Sequence, residues 1–133
     1  NLKRRFAEAG ISNYHSFVAD LTKADPGQSF DLIIADVPCS GSGTWARTPE
    51  QLVFFPEEKI ATYAKLQRDM LTNAIRFLKP GGYLLYITCS VFQEENELQT
   101  RHLAEQGLTL ITESILKGYD RQADTMFAAL MRS

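Results

Sequence analysis

The sequence predicts a single α/β domain with a mostly parallel sheet, and three observations support this prediction. Short apolar runs typical of strands alternate with longer segments in which apolar residues recur every three or four positions, as in helices. The strand-like runs are continuous, which indicates strands buried on both faces. The 133 residues, 44% hydrophobic and 23% charged, suffice for one domain over residues 1–133.

The first part of the chain predicts a helix, a strand and a turn. Residues 1–9 place apolar side chains at helical spacing, and Gly10 follows in the position that glycine favours after a helix. Residues 14–20 are short, aromatic and β-branched, which favours a strand. The Asp-Pro-Gly sequence at 25–27 predicts a loop.

The rest of the chain predicts strands and helices joined by crossover connections. The predicted strands cover residues 30–37, 83–88, 108–116 and 125–133, and the predicted helices cover 56–78, about six turns, and 94–107. The last two strands are joined by a polar loop without a helix, so one of them should run antiparallel to the sheet.

Composition and charge limit the classes of protein to which this chain can belong. No apolar run approaches the roughly 20 residues that span a bilayer, and the first residues lack a signal peptide's features, so we expect a soluble cytoplasmic protein. Two cysteines outside any Cys/His cluster argue against a disulfide scaffold and a zinc site, and we expect no metal. The net charge of −2 gives no overall attraction to nucleic acid, so an RNA partner would need local basic groups or another domain.

Both cysteines follow predicted buried strands. Asp36 and Cys39 end the run at 30–37, in "DVPCSGSG", and Cys89 ends the run at 83–88, in "YITCS". Neighbouring parallel strands lie about 4.8 Å apart, so two such ends can face one pocket. Free cysteine is often mere core filling, but the open loop after Cys39 favours ligand approach, and Pro38 restricts how Asp36 is presented.

Other polar residues have plainer alternative interpretations. Ser90 could cap the following helix, with Glu94 and Glu95 in its first turn. Asp20 could accept a hydrogen bond from a nucleobase amine or be an ordinary loop acid. Arg47 could contact a phosphate or simply be solvated.

The two cysteine motifs resemble those of a known family. "DVPCSGSGTWARTPE" and "YITCSVFQEENE" are similar to the motifs of the RNA 5-methylcytosine methyltransferases of the Sun (Fmu) type, which include small-subunit ribosomal RNA methyltransferase B. The likeness continues through "LQRDML", "FLKPGGYLLY" and "DTMFAALMR". It implies a class I S-adenosylmethionine-dependent, Rossmann-like fold and C5 methylation of cytosine in RNA, with ribosomal RNA as the expected partner.

The resemblance also implies roles for individual residues. Cys89 would add to C6 of cytosine as the nucleophile, Cys39 would help to release the product, and Asp36 would bond the ring near N3. The residues expected to contact the methyl donor are Asp20, Asp36 and Pro38, and those expected to contact the substrate are Pro38, Ser40, Gly41 and Arg47.

The family pattern implies that the chain is the C-terminal part of a catalytic domain. The glycine-rich donor segment and an acidic strand end are expected upstream of Asn1, so the donor site would be incomplete and the chain alone inactive. In the family's strand order, 3-2-1-4-5-7-6, two absent strands would separate residues 14–20 from residues 30–37. We therefore expect a gap or a rearranged sheet edge there, with the first strand packed elsewhere.

Two rival functions remain open from the sequence. A DNA cytosine-C5 methyltransferase would use Cys39 as its nucleophile, although the second cysteine motif argues against this. A binding or structural fragment without catalysis is the other alternative.

Overall fold

The computed structural model describes residues 2–133. Over that range the chain forms four α-helices and four strands. The helices are α1 (Leu2–Glu8), α2 (Gln51–Phe54), α3 (Glu58–Ala74) and α4 (Glu97–Glu105). The strands are β1 (Phe30–Asp36), β2 (Leu78–Thr88), β3 (Thr109–Leu116) and β4 (Met126–Arg132). Residue 1, which the predicted first helix included, lies outside the described residues.

The strands form one sheet in the order β1-β2-β4-β3. β1 pairs with β2 in parallel, whereas β4 is antiparallel to both β2 and β3. Three of the four strands therefore run in the same direction, and the C-terminal strand β4 runs against them, as the sequence predicted. The register sets Asp36 opposite Ile87, which aligns the carboxyl ends of β1 and β2.

The core lies between one face of the sheet and the helices α3 and α4. Leu84 and Tyr86 of β2 alternate with more exposed neighbours and pack with Leu71 of α3 and Leu103 of α4. Each of these four side chains is almost wholly buried. The alternation follows from the strand's two-residue side-chain period, which sends successive side chains to opposite faces.

The strand predicted over residues 14–20 is wrong. These residues are irregular, followed by a turn that begins at residue 21. A strand needs a partner, and among residues 2–133 β1 pairs only with β2, which leaves its other edge without a strand. Phe17 and Leu21 instead line an apolar cleft of about 260 Å³ next to β1. The gap that the family's strand order predicts between residues 14–20 and residues 30–37 lies at this edge of the sheet.

Three predicted ends of helices and strands also differ from those in the structure. The short helix α2 precedes α3, and α3 ends earlier than predicted, in a 3₁₀ turn. "KPGG", which lies between the predicted helix over 56–78 and the predicted strand over 83–88, belongs to β2, with a register irregularity between Phe30 and Leu32 on the paired strand. α4 begins at Glu97, because a 3₁₀ turn over Gln93–Glu95 comes first.

Candidate active site

The carboxyl ends of β1 and β2 bring the two cysteines together. Cys39 Sγ and Cys89 Sγ lie 3.2 Å apart, and both side chains are partly buried. The pairing of Asp36 with Ile87 causes this proximity, because each cysteine follows its strand by only a few residues. Two thiols at this separation share a hydrogen bond.

The loop after Cys39 is held tightly between β2 and β4. Gly43 donates its N–H to the carbonyl of Cys89 at 2.9 Å and accepts from the N–H of Thr125 at 3.0 Å. A Cβ at Gly43 would lie 3.0 Å from the Cys89 carbonyl oxygen and collide with the Thr125 carbonyl. Only glycine permits this approach of three backbone segments.

A buried carboxylate joins the two cysteine loops. Glu95 has no exposed surface and accepts from the backbone N–H of Ser40 at 2.7 Å and from its hydroxyl at 2.6 Å. The hydroxyl of Ser90 donates to the same side chain. The prediction that Ser90 caps a helix is wrong, because the residues before the 3₁₀ turn and before α4 are Phe92 and Asn96. Glu94 and Glu95 do lie in a first turn, but it is that of the 3₁₀ turn and not that of α4.

A second buried side chain fixes the residue before Cys39. Gln67 of α3 donates to the carbonyl of Pro38 at 2.9 Å and accepts from the Tyr86 hydroxyl at 3.3 Å. That hydroxyl also contacts the carbonyl oxygen of Glu95 at 2.5 Å. Burial, followed by the charge of Glu95, raises the pKa of Tyr86 far above its ordinary value, so the hydroxyl stays a donor.

The surroundings of Cys39 favour its protonated form. Burial is the main cause that raises the pKa of Cys39 to about 12, and the hydrogen bond to Cys89 adds to it. The backbone N–H groups of Gly41 and Cys89 act in the opposite direction but are outweighed. Cys39 is therefore a protonated thiol near neutral pH and can donate to Cys89 Sγ.

Four of the other predicted site residues lie at the end of β1 and in the loop that contains Cys39. Asp36 and Pro38 are exposed at the end of β1, while Ser40 and Gly41 are partly buried in the loop after Cys39. All four lie within three residues of Cys39 along the chain.

Two predicted residues make their polar contacts elsewhere. Arg47 forms a two-pronged ion pair with Asp124, with both N···O distances 2.7 Å, and this pairing lowers the pKa of Asp124. The carboxylate of Asp20 accepts from the hydroxyl and backbone N–H of Thr22, which lower its pKa. The structure does not bring either side chain to the thiols.

Sequence reasoning missed Glu95 and Gln67 as site residues. Gln67 carried a signal, because it is a polar residue within the apolar stripe of α3 that includes Tyr63, Met70 and Leu71. Glu95 gave no such signal, because the adjacent Glu94 is also a glutamate in the same acidic run.

Two features are absent from the part of the chain that the structure describes. No cluster of three or more His, Cys, Asp or Glu side chains is placed to hold a metal ion. None of the helices within residues 2–133 has the length and apolar character needed to cross a membrane.

Comparison with curated proteins gives partial matches to ribosomal RNA methyltransferases. Ribosomal RNA small subunit methyltransferase F of Aliivibrio fischeri is 39% identical over 79 residues, which are 59% of this chain and 17% of that protein. Ribosomal RNA small subunit methyltransferase B of Vibrio cholerae is 41% identical over 80 residues, 60% of this chain and 18% of that protein. The matched residues thus make up less than a fifth of either relative.

Solved structures match almost the whole chain. The crystal structure of PH0851 superposes with a TM-score of 0.91 at 31% identity, covering 99% of this chain and 34% of that one. The N-methyltransferase NodS from Bradyrhizobium japonicum, in complex with S-adenosylhomocysteine, has a TM-score of 0.65 at 16% identity and covers 99% of this chain and 61% of its own. The second likeness concerns the fold alone.

These matches define the fold and the family. The sheet has part of the strand order of a class I S-adenosylmethionine-dependent methyltransferase, and this part includes the antiparallel C-terminal strand. The family model described as 16S rRNA methyltransferase RsmB/F matches residues 1–129. The chain belongs to the 16S rRNA methyltransferase RsmB/F family.

Proposed function

We propose that this chain is part of an enzyme that transfers a methyl group from S-adenosylmethionine to C5 of a cytosine in ribosomal RNA. The observation that carries the proposal is the pair of thiols 3.2 Å apart at the ends of two adjacent parallel strands. Family membership supports the ribosomal substrate. In this proposal residues 1–133 form one domain, the C-terminal part of the catalytic domain, and the enzyme acts in the cytoplasm.

Cys89 is the nucleophile in this proposal. Cytosine C5 is a poor carbon nucleophile, so the Cys89 thiolate first forms a bond from Sγ to C6, which moves electron density onto C5. The donor supplies the methyl group that C5 then takes. The Cys39 thiol, 3.2 Å away, can donate a hydrogen bond to the Cys89 thiolate before the attack.

Cys39 serves product release. After methyl transfer the C5 proton must leave, the C5–C6 double bond reforms, and the bond from Cys89 Sγ to C6 breaks. Once Cys89 Sγ is bonded to carbon it no longer accepts a strong hydrogen bond from Cys39. One cause of the raised Cys39 pKa is thereby removed, so the Cys39 thiol can lose its proton to water. The Cys39 thiolate then accepts the C5 proton, the C5–H electron pair forms the C5–C6 double bond, and the electrons of the C6–S bond return to Cys89 Sγ.

Asp36 and Pro38 would hold the base and part of the donor. Both are exposed at the carboxyl edge of the sheet, where ligands of open α/β sheets bind. A carboxylate near N3 can stabilise the ring as charge develops on it. Ser40, Gly41 and Arg47 remain proposed substrate contacts, although in Arg47 two nitrogens already bond to Asp124.

Only part of a donor site fits the residues of this chain. Asp20, proposed to contact the adenine side, lies in a loop with Oδ1 engaged by Thr22. The sequence contains no glycine-rich strand-to-helix segment before β1. We therefore propose that the 133-residue chain alone is inactive. Calorimetry should detect weak or no binding of S-adenosylmethionine, and tight binding would contradict this placement of the donor site.

Substitution of each cysteine tests the assignment of roles. In a full-length protein that contains this chain, Cys89→Ala should abolish methylation of ribosomal RNA and form no adduct, because the attacking atom is gone. Cys39→Ala should instead accumulate a covalent protein–RNA adduct, seen as a band resistant to denaturation on a gel. Loss of activity in both variants without an adduct would contradict the assignment, and an adduct in Cys89→Ala alone would reverse it.

The acceptor tests the rival enzymatic function. A DNA cytosine-C5 methyltransferase with Cys39 as nucleophile would methylate DNA, and its Cys89→Ala variant would keep that activity. We expect RNA to be methylated and DNA not, with the target base unpaired or flipped out, because C6 is inaccessible within a helix. RNA binding without methylation by the full-length protein would instead favour the non-catalytic alternative.

A further inference from the structure

Glu95 is a buried acid that the chemistry proposed above leaves unused. Among the charged side chains of residues 2–133, it alone is wholly buried. Burying a carboxylate is costly unless its oxygens are hydrogen-bonded, so the site must supply partners. The partners that Glu95 has are the residues that directly follow the two cysteines.

One carboxylate connects both cysteine loops. Glu95 Oε1 accepts from the Ser40 backbone N–H at 2.7 Å, and Oε2 accepts from the Ser40 hydroxyl at 2.6 Å and from the Ser90 hydroxyl. Ser40 follows Cys39, and Ser90 follows Cys89. Three hydrogen bonds to one rigid group therefore limit how far the two loops can move apart.

We propose that Glu95 is a positioning residue, which sets the separation of the Cys39 and Cys89 thiols by holding the serine after each cysteine. This inference rests on the proposed function, in which those thiols react in sequence on one base. A thiol displaced by about 1 Å would lose a large part of its reactivity in such a step. Glu95 acts through the serines and does not touch the substrate.

The hydroxyl groups around Glu95 require an acceptor at its position. The Ser90 hydroxyl oxygen already accepts from the Phe92 N–H at 3.0 Å, and the Ser40 hydroxyl oxygen accepts from the Ser42 N–H at 3.3 Å. Each hydroxyl group has the carboxylate as its closest acceptor, which for Ser40 lies at 2.6 Å against 3.2 Å to Ser42 Oγ. Glu95→Gln keeps the shape but replaces an acceptor by an amide donor, so one donor would face another. Glu94→Gln is the matched control, since it makes the same change on an exposed side chain.

Disulfide formation measures the separation of the thiols directly. Diamide accepts two hydrogens from the two thiols and becomes a hydrazine, while Cys39 and Cys89 form one S–S bond. With the 133-residue chain, mass spectrometry should show rapid disulfide formation in the wild type and in Glu94→Gln. In Glu95→Gln we expect the rate to fall about tenfold, because the loops no longer hold the thiols together.

Alkylation of the thiols separates positioning from simple loss of stability. If Glu95→Gln separates the thiols, Cys39 loses its hydrogen bond to Cys89, and its reaction with iodoacetamide should rise relative to that of Cys89. A merely destabilising substitution would expose both thiols and raise both rates together. The ratio of the two alkylation rates therefore distinguishes separation of the thiols from general destabilisation.

The outcome can be distinguished from failure of the proposed function. An unchanged disulfide rate and alkylation ratio in folded Glu95→Gln would overturn the role of Glu95 but leave the Cys89 assignment intact. A fully active Cys89→Ala enzyme would refute the proposed function without altering the Glu95→Gln result. If circular dichroism shows that Glu95→Gln does not fold, Ser90→Ala removes one of the three bonds, and an unchanged disulfide rate there would equally overturn the inference.

Discussion

Cys39 and Cys89 show how two identical residue types acquire different chemistry from their surroundings. Both follow a strand and precede a serine, so the sequence alone makes them look equivalent. In the structure, burial and the neighbouring thiol hold the pKa of Cys39 near 12, against an ordinary value of 9.0. At pH 9 a thiol with such a pKa is ionised in only about one molecule in a thousand. The thiol that its surroundings keep protonated is the one assigned to product release.

The reactivity of Cys39 should therefore depend on Cys89. In the wild type, Cys39 should react slowly with iodoacetamide from about pH 7 to about pH 10, since the thiol remains protonated below its pKa. Cys89→Ala removes a hydrogen bond that raises this pKa, so the pH profile of Cys39 alkylation should move to lower pH. Burial is unchanged and remains the larger cause, so the shift should be partial.

Cys89→Ser is the matched control for this pH profile. A serine hydroxyl can still bond to the Cys39 thiol but does not ionise in this range, so the profile should move less than in Cys89→Ala. Mass spectrometry of the alkylated peptide gives the rate at each pH. Identical Cys39 profiles in all three proteins would show that Cys89 does not influence Cys39.

At the scale of elements, the loop between β1 and α2 depends on Gly43, because the surrounding backbone leaves no room for a side chain there. Gly43 bonds to the backbone at the end of β2 and to the residue before β4, and this double contact seats the Cys39 loop. Gly27 differs, because its φ of 69° requires glycine although nothing crowds its Cα. The two glycines serve different needs, one for space and one for backbone conformation.

Alanine at these two positions should have different costs. Gly43→Ala forces a methyl group into neighbouring backbone and should lower the free energy of unfolding by about 3 kcal/mol. Gly27→Ala strains only its own backbone and should cost about 1 kcal/mol. Urea denaturation measures both. Gly43→Ala should also slow disulfide formation between the cysteines, whereas Gly27→Ala should not. Equal costs with no effect on the disulfide would mean that the loop is not held as described.

The helices and strands with a clear apolar periodicity can be predicted from the sequence. The prediction fails where contacts with other parts of the chain determine the structure. The long helix and β1, β2, β3 and β4 were predicted because their apolar patterns are unambiguous. Residues 14–20 have the composition of a strand but no strand beside them, so pairing overrode propensity. The cysteine pair was predictable because both residues follow parallel strands. The role of Glu95 was not, because only the fold distinguishes it from Glu94.

On the scale of the whole molecule, the two faces of the sheet differ. α3 and α4 cover the face that holds Leu84 and Tyr86, with which Ile33 is packed. The opposite face of β1 leaves Leu32 51% and Ile34 60% exposed. Doubly wound sheets are covered by helices on both faces, so an apolar face open to solvent is unusual for this fold.

Neighbouring isoleucines on β1 allow this difference to be measured. Ile33→Thr places a hydroxyl against the core and should lower the free energy of unfolding by about 2 kcal/mol. Ile34→Thr, one residue along on the open face, should change it by less than about 0.5 kcal/mol and should reduce binding of the dye ANS. Urea denaturation and ANS fluorescence of the 133-residue chain provide both readings. If Ile34→Thr costs as much as Ile33→Thr, the open face is buried in solution, and sedimentation as a dimer would then identify a second copy of the chain as its cover.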